Sequence, residues 1–306
     1  MISRRLIRVK AMQTYYSILQ NNEEEGAEKA WNNLERSLNK SYELFISMHC
    51  LLIQICDYAN SRIEIKKNKY FATEEDLSPN MRFVENKILE AFRKNAIINK
   101  AFGNPSSNWS DCPEIIKSLW TKIEKADFYK EYMLANENSL KNDIKFITSI
   151  INRCIVNDAK IDDYLEDKSI YWNDELELIL SNIINDLQKI KSDLRYNLSP
   201  MYKKDEDEDF ARLLISKTVK NTIKFDSIIS DTLKRWELER IAFMDRVILH
   251  IALAEILEMP NMPIPITLNE WLEIAKFYST DKSSQFLNGL LDKIYIKLKE
   301  ENKISK

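Results

Sequence analysis

Glycine is almost missing from this chain: Gly26, Gly103 and Gly289 are the only three in 306 residues. Tight sheet turns and phosphate-cradling loops both depend on glycine, so its scarcity disfavours a sheet protein and a nucleotide-binding loop alike. Histidine is scarcer still, with His49 and His250 far apart. The four cysteines, Cys50, Cys56, Cys112 and Cys154, show no CxxC spacing, and only His49, Cys50 and Cys56 cluster at all. A structural zinc site needs several such ligands at helix or loop spacing. The cluster therefore reads as buried thiols on a helix, and reduced cysteines fit a cytoplasmic protein. No apolar run approaches the roughly 20 residues of a spanning helix, and the first residues lack the apolar stretch of a signal peptide. The expectation is a cytoplasmic chain with no metal, no cofactor and no membrane segment.

What is present points to a packed, helical protein. Apolar residues make up 44% and charged residues 30% of the chain, enough apolar surface for a sizeable core and too much for a disordered tail. With the glycines of sheet turns absent, the fold class expected is all-α. The net charge of −3 gives no argument for nucleic acid, but its distribution does. Arg4, Arg5, Arg8 and Lys10 fall in the first twenty residues, which hold no acid, making that end a candidate phosphate contact. Asp205 to Asp209 is an unbroken acidic run, read most simply as a solvated linker.

Ile7, Ala11, Tyr15 and Leu19 repeat at four-residue intervals and predict a first helix over Ile2 to Leu19. A long helix is expected from about Glu28 to Arg62, with Trp31, Leu34, Leu38 and Tyr42 at helical spacing and an all-round apolar stretch from Met48 to Ile55. Further helices follow, punctuated by Ser78-Pro79-Asn80, by the segment from Gly103 to Asn108 and by Asn197 to Pro200. The aromatics there, among them Trp109, Trp120, Tyr129, Tyr132, Tyr164, Tyr171 and Trp172, read as core more readily than as a stacking platform for bases. Phe210, Leu213 and Leu214 open another helix, extended by Ile228, Ile229, Leu233 and Trp236. The segment from Arg240 to Met259 should be central. Pro260, Pro263 and Pro265 interrupt it, and Thr267-Leu268-Asn269-Glu270 has the form of a capping box that starts a new helix. A last helix spans Ser283 to Lys299. This divides the chain into residues 1–63, 64–204 and 205–306.

Two separated segments resemble the NusB family of transcription antitermination factors. The first is Arg4-Arg5-Leu6-Ile7-Arg8-Val9-Lys10-Ala11-Met12-Gln13-Thr14-Tyr15-Tyr16. The second runs from Trp236 through Leu238-Glu239-Arg240 to Lys293, with Asp245, Asn269-Glu270, Ala275-Lys276 and the string Phe286-Leu287-Asn288-Gly289-Leu290-Leu291-Asp292-Lys293. Three positions depart: Leu6 interrupts the basic cluster, His250 stands where an arginine is common, and Lys282 follows Asp281 where relatives carry acids. The resemblance implies a NusB-like helical bundle with additional inserted helices at 64–204. It implies an RNA-binding antitermination factor that binds single-stranded boxA-type RNA together with the ribosomal protein NusE and loads an antitermination complex on RNA polymerase in rRNA transcription.

By the same resemblance, Arg4, Arg5, Arg8 and Lys10 are the RNA-binding arm. Guanidinium forks suit phosphate oxygens, and their binding releases counterions. Tyr16 and Phe286 match family aromatics at the RNA surface, although either ring also fits a core position. Asp245 matches an acidic position near the partner surface and is a candidate contact for the ribosomal protein or the RNA, the alternative being a surface ion pair with Arg246. Gly289 reads as a place where a neighbouring helix approaches closely. The competing function is a helical interaction scaffold that has lost RNA binding. An enzyme is not expected, because the chain has no glycine-rich cofactor loop, no Pro-Cys motif and no nucleophile constellation.

Overall fold

The computed structural model describes residues 1–21, 26–105, 107–137, 139–233 and 240–304. Trp236, Leu238 and Glu239, part of the motif region, lie outside the described residues. The described residues form α1 (Arg4–Gln20), α2 (Ala27–Lys67), α3 (Glu74–Leu77), α4 (Lys87–Lys94), α5 (Ala96–Phe102), α6 (Pro113–Lys125), α7 (Asp127–Leu134) and α8 (Leu140–Ile150). A single π-helical turn, Ile151–Ile155, continues α8. Then come α9 (Ala159–Lys168), α10 (Leu176–Leu187), α11 (Asp205–Lys220), α12 (Thr222–Leu233), α13 (Phe243–Glu258), α14 (Ile264–Tyr278) and α15 (Ser283–Glu300). The described residues contain no strand, as the shortage of glycine implied, and the fold is all-α. None of their helices is long and apolar enough to cross a membrane.

The chain divides into two compact units. One comprises Asn39–Met201 with Met1, the other Ile2–Leu38 with Tyr202–Lys306. These divisions fall at 38/39 and 201/202, where the sequence suggested 63/64 and 204/205. The first lies inside a helix, because α2 continues unbroken for 41 residues.

In the unit built on residues 39–201, the aromatics are mostly core. Phe83 stacks on Trp120 at 5.6 Å and Tyr132 on Phe146 at 3.9 Å between centroids. The Trp109 and Trp172 indole nitrogens donate to the carbonyls of Ser47 and Lys40, at 3.0 and 2.8 Å. Buried aromatic N–H groups need such partners. His49 is fully buried between the Phe45 carbonyl, 2.7 Å from Nδ1, and the Tyr196 hydroxyl, 2.6 Å from Nε2. All four cysteines are unpaired and buried, and burial pushes the Cys50 thiol up to about 12 and Cys56 up to about 11. Such thiols are inert as nucleophiles.

The other unit is organised around α13, whose residues from Val247 to Ile256 are all buried, a helix apolar nearly all round. α1, α11, α12, α14 and α15 pack against it. Ser3 caps α1, its hydroxyl accepting from the Leu6 N–H at 3.2 Å, a bond that satisfies one of the orphan donors of a helix start.

Three expectations in this unit are corrected. The helix after the prolines begins at Ile264, with Pro263 as its N-cap and Pro265 in its first turn, where a missing N–H costs nothing. Thr267 therefore sits inside α14 and its hydroxyl serves a buried glutamate instead of a cap. The acidic run is no linker: it is the first turn of α11, where carboxylates favour the helix dipole. Finally, a Cβ on Gly289 would meet nothing within 4 Å, so no neighbouring helix requires that glycine.

Candidate nucleic-acid interface

α1 carries no acid in its first turn, and its arginines diverge from there. Positions 4 and 8 share one face of the helix, one turn apart, and both guanidinium groups lie over the Phe210 ring of α11, at 5.2 and 5.3 Å. Their surroundings differ sharply. Arg8 is buried, 2% exposed, and bonds Glu255 of α13 with Nε at 2.9 Å and Nη2 at 2.5 Å. Glu255 is wholly buried and also accepts from the Thr267 hydroxyl at 2.8 Å and the Trp271 indole at 3.0 Å. Each carboxylate oxygen thus receives two hydrogen bonds, the condition under which a buried ion pair is tolerable.

Arg5, by contrast, is exposed and grips Glu270 of α14 through Nε and Nη2 at 2.8 and 2.9 Å. Hydrogen bonding to Arg5 holds the Glu270 carboxyl below its ordinary range, and Glu270 in turn raises the Arg5 guanidinium. Arg4 is partly exposed and donates from Nε to Asp207 at 2.8 Å, with Glu206 at 3.8 Å from Nη2. A surface cavity of about 370 Å³ opens against Arg4, Arg5 and Arg8, walled by Met262, Pro263 and Ile266.

The structure brings the three arginines to one end of α1, but it does not bring Lys10 to the surface: Lys10 is 1% exposed. Tyr16, further along the helix, is half-buried and meets Phe243 edge-on at 5.1 Å. Phe286 is half-buried on α15. Asp245 is buried in the first turn of α13, and its carboxylate accepts from the hydroxyls of Ser279 at 2.6 Å and Ser283 at 2.9 Å. It ties α13 to the α14–α15 connection, while the neighbouring Arg246 grips Asp226 at 2.8 and 2.6 Å.

Sequence reasoning missed the carboxylates that define this surface, Glu255, Glu270, Asp207 and Asp226. Asp207 and Glu270 stood in the acidic run and the Asn269-Glu270 pair without being matched to an arginine, Glu255 left a signal as a lone acid within the apolar run from Ile248 to Ile256, and Asp226 left none. Behind the arm, the Tyr15 hydroxyl lies 2.7 Å from His250 Nδ1 and 2.9 Å from Thr222, and His250 Nε2 lies 3.0 Å from Asp226. Burial pushes the Asp226 carboxyl up, but hydrogen bonds from His250 and Arg246 outweigh it and hold the group at about 2.

Known proteins share part of this sequence. The model of the NusB family matches residues 179–295. The transcription antitermination protein NusB of Chloroherpeton thalassium is 39% identical over 99 residues, 32% of this chain and 47% of the relative. That of Salinibacter ruber is 38% identical over 105 residues, 33% of this chain and 66% of the relative. This chain therefore spans between about half and two thirds of the length of those relatives. The solved structure of T. maritima NusB aligns at 30% identity over 44% of this chain and 80% of that one, with a TM-score of 0.28.

Proposed function

Because the chain belongs to the NusB family, with extra helices in the residues that precede the matched segment, we propose that it is an RNA-binding antitermination factor. On this reading it binds a single-stranded boxA-type RNA together with the ribosomal protein NusE and supports rRNA transcription. The observation that carries the reading is the arginine cluster at one end of α1, which packs in the same compact unit as most of the family segment. Arg4 and Arg5 are the groups with surface to offer a phosphate. Arg8 enters as a positioning residue that holds the arm on α13 and α14, and Lys10 is buried as well. Tyr16 and Phe286, half-buried, retain ring surface on which an unpaired base stacks for roughly 1–3 kcal/mol. Asp245 acts by fixing the α14–α15 connection that leads into Phe286.

Joint binding is physically sensible, since two weak surfaces on linked partners gain affinity without either holding RNA tightly alone. The test is fluorescence polarisation of labelled boxA RNA, with and without NusE, at several salt concentrations. Binding that NusE strengthens and salt weakens supports the reading. Failure to bind with NusE present favours the scaffold reading, for which the specific observation is that Arg4 and Arg5 already have carboxylate partners within the chain.

A further inference from the structure

The acidic run and the basic arm, about 200 residues apart in sequence, meet at a single guanidinium. Asp207, buried in the first turn of α11, takes the Arg4 Nε–H at 2.8 Å. Glu206, exposed beside it, stands 3.8 Å from Arg4 Nη2. The Phe210 ring lies under the same guanidinium at 5.2 Å. Carboxylate oxygens at the edge of a guanidinium fork occupy the positions that phosphate oxygens take in arginine–phosphate pairs. The side chains of Glu208 and Asp209 are exposed, belong to the same turn and bring equal charge, yet no ion pair joins them to Arg4 among the described residues.

We propose that Glu206 and Asp207 are an intramolecular stand-in for an RNA phosphate at Arg4, so that a phosphate reaches Arg4 only by exchanging with the first turn of α11. This rests on the RNA-binding reading above. The exchange has two consequences. It lowers affinity for any phosphate by the free energy of the internal pair, and it selects for strands that make further contacts, since one phosphate at Arg4 merely replaces what the chain already supplies. The effect is modest in size because Arg4 and Glu206 are solvated, and pairs of this kind carry little net energy.

The test compares the full chain with Glu206→Gln/Asp207→Asn and with the charge-matched control Glu208→Gln/Asp209→Asn, by polarisation of a labelled single-stranded boxA RNA in the presence of NusE. The stand-in predicts that the first variant binds about two- to fivefold more tightly. Its plot of log affinity against log salt keeps about the parent's slope, because the phosphate at Arg4 is neutralised in both chains. The control should gain less than about 1.5-fold, because its charges are screened from the arm by solvent. In an Arg4→Ala background the gain disappears, the result that isolates a pairwise interaction. Equal gains by both double variants mean general electrostatics and overturn the proposal, as does no gain in a chain that binds RNA. If neither the parent nor any variant binds, the RNA reading itself fails and the proposal goes with it. Circular dichroism checks that α11 survives, and Glu206→Gln alone, at an exposed position, gives the same sign if the double variant does not fold.

Discussion

Arg8 and Glu255 stand 247 residues apart in the chain and form one buried ion pair. Thr267 and Trp271 complete the hydrogen bonding of the carboxylate, so removal of either charge leaves the other desolvated and uncompensated. Arg8→Ala should cost about 3–5 kcal/mol, read as a lower urea midpoint. Arg4→Ala and Arg5→Ala should each cost no more than about 1 kcal/mol. Equal losses for all three would contradict the division between anchor and exposed arm.

RNA affinity should show the opposite ranking. Arg4→Ala and Arg5→Ala are each expected to weaken boxA binding and to flatten the salt dependence by about 0.7 for every phosphate that is no longer neutralised, with thermal unfolding unchanged within about 1 kcal/mol. A salt slope that neither substitution alters would remove the arm from the interface.

Acid should destabilise the chain in two separate windows. Burial pulls His49 down to about 4, against about 6.5 in an unfolded chain. As pH falls from about 7 to 4 the unfolded state therefore takes up the proton first, and stability drops by about 3 kcal/mol. His49→Gln should flatten that window in urea titrations. The Asp226 carboxyl, held at about 2 against its ordinary 3.8, contributes stability that is present above about pH 4 and lost between about 4 and 2, a window that His49→Gln should leave in place.

Gly289→Ala should stabilise the chain by about 1 kcal/mol, the helix-propensity difference, because the added methyl meets open space. A rise in Tm is the readout. A fall would show that something other than helix propensity acts at this position.

Helix existence was legible because periodicity survives any tertiary arrangement: Ile7, Ala11 and Tyr15 are wholly buried, as their four-residue spacing requires. The string from Phe286 to Lys293 lies inside the family match, but that match starts at residue 179, within the stretch read as an insertion, and leaves out Arg4 to Tyr16. The identity of the exposed arginines was not legible. Nothing in Arg4-Arg5-Leu6-Ile7-Arg8 says which guanidinium turns inward, since that is decided by Glu255 and Glu270 in helices folded from the far end of the chain. Thr267-Leu268-Asn269-Glu270 misled for a related reason. Its pattern suits a cap, but Pro263 and Pro265 already start the helix one turn earlier, and the hydroxyl has a buried carboxylate to satisfy. The acidic run read as solvated because charge alone does not reveal that Asp207 faces a cation.

The compact unit that holds the arm joins residues 2–38 to residues 202–306, and this separation sets its timetable during synthesis. α1 leaves the ribosome early with Arg8 and an apolar face uncovered, while Glu255 follows 247 residues later. At about 5–20 residues per second that delay is roughly 12 to 50 s. While residues 39–201 are made they can complete their own core, whereas α11 and α13, the helices against which α1 packs, are not yet synthesised. Closing so long a loop also makes this unit the slower to assemble, so a nascent chain arrested before α13 should expose α1 to proteases that the finished protein resists.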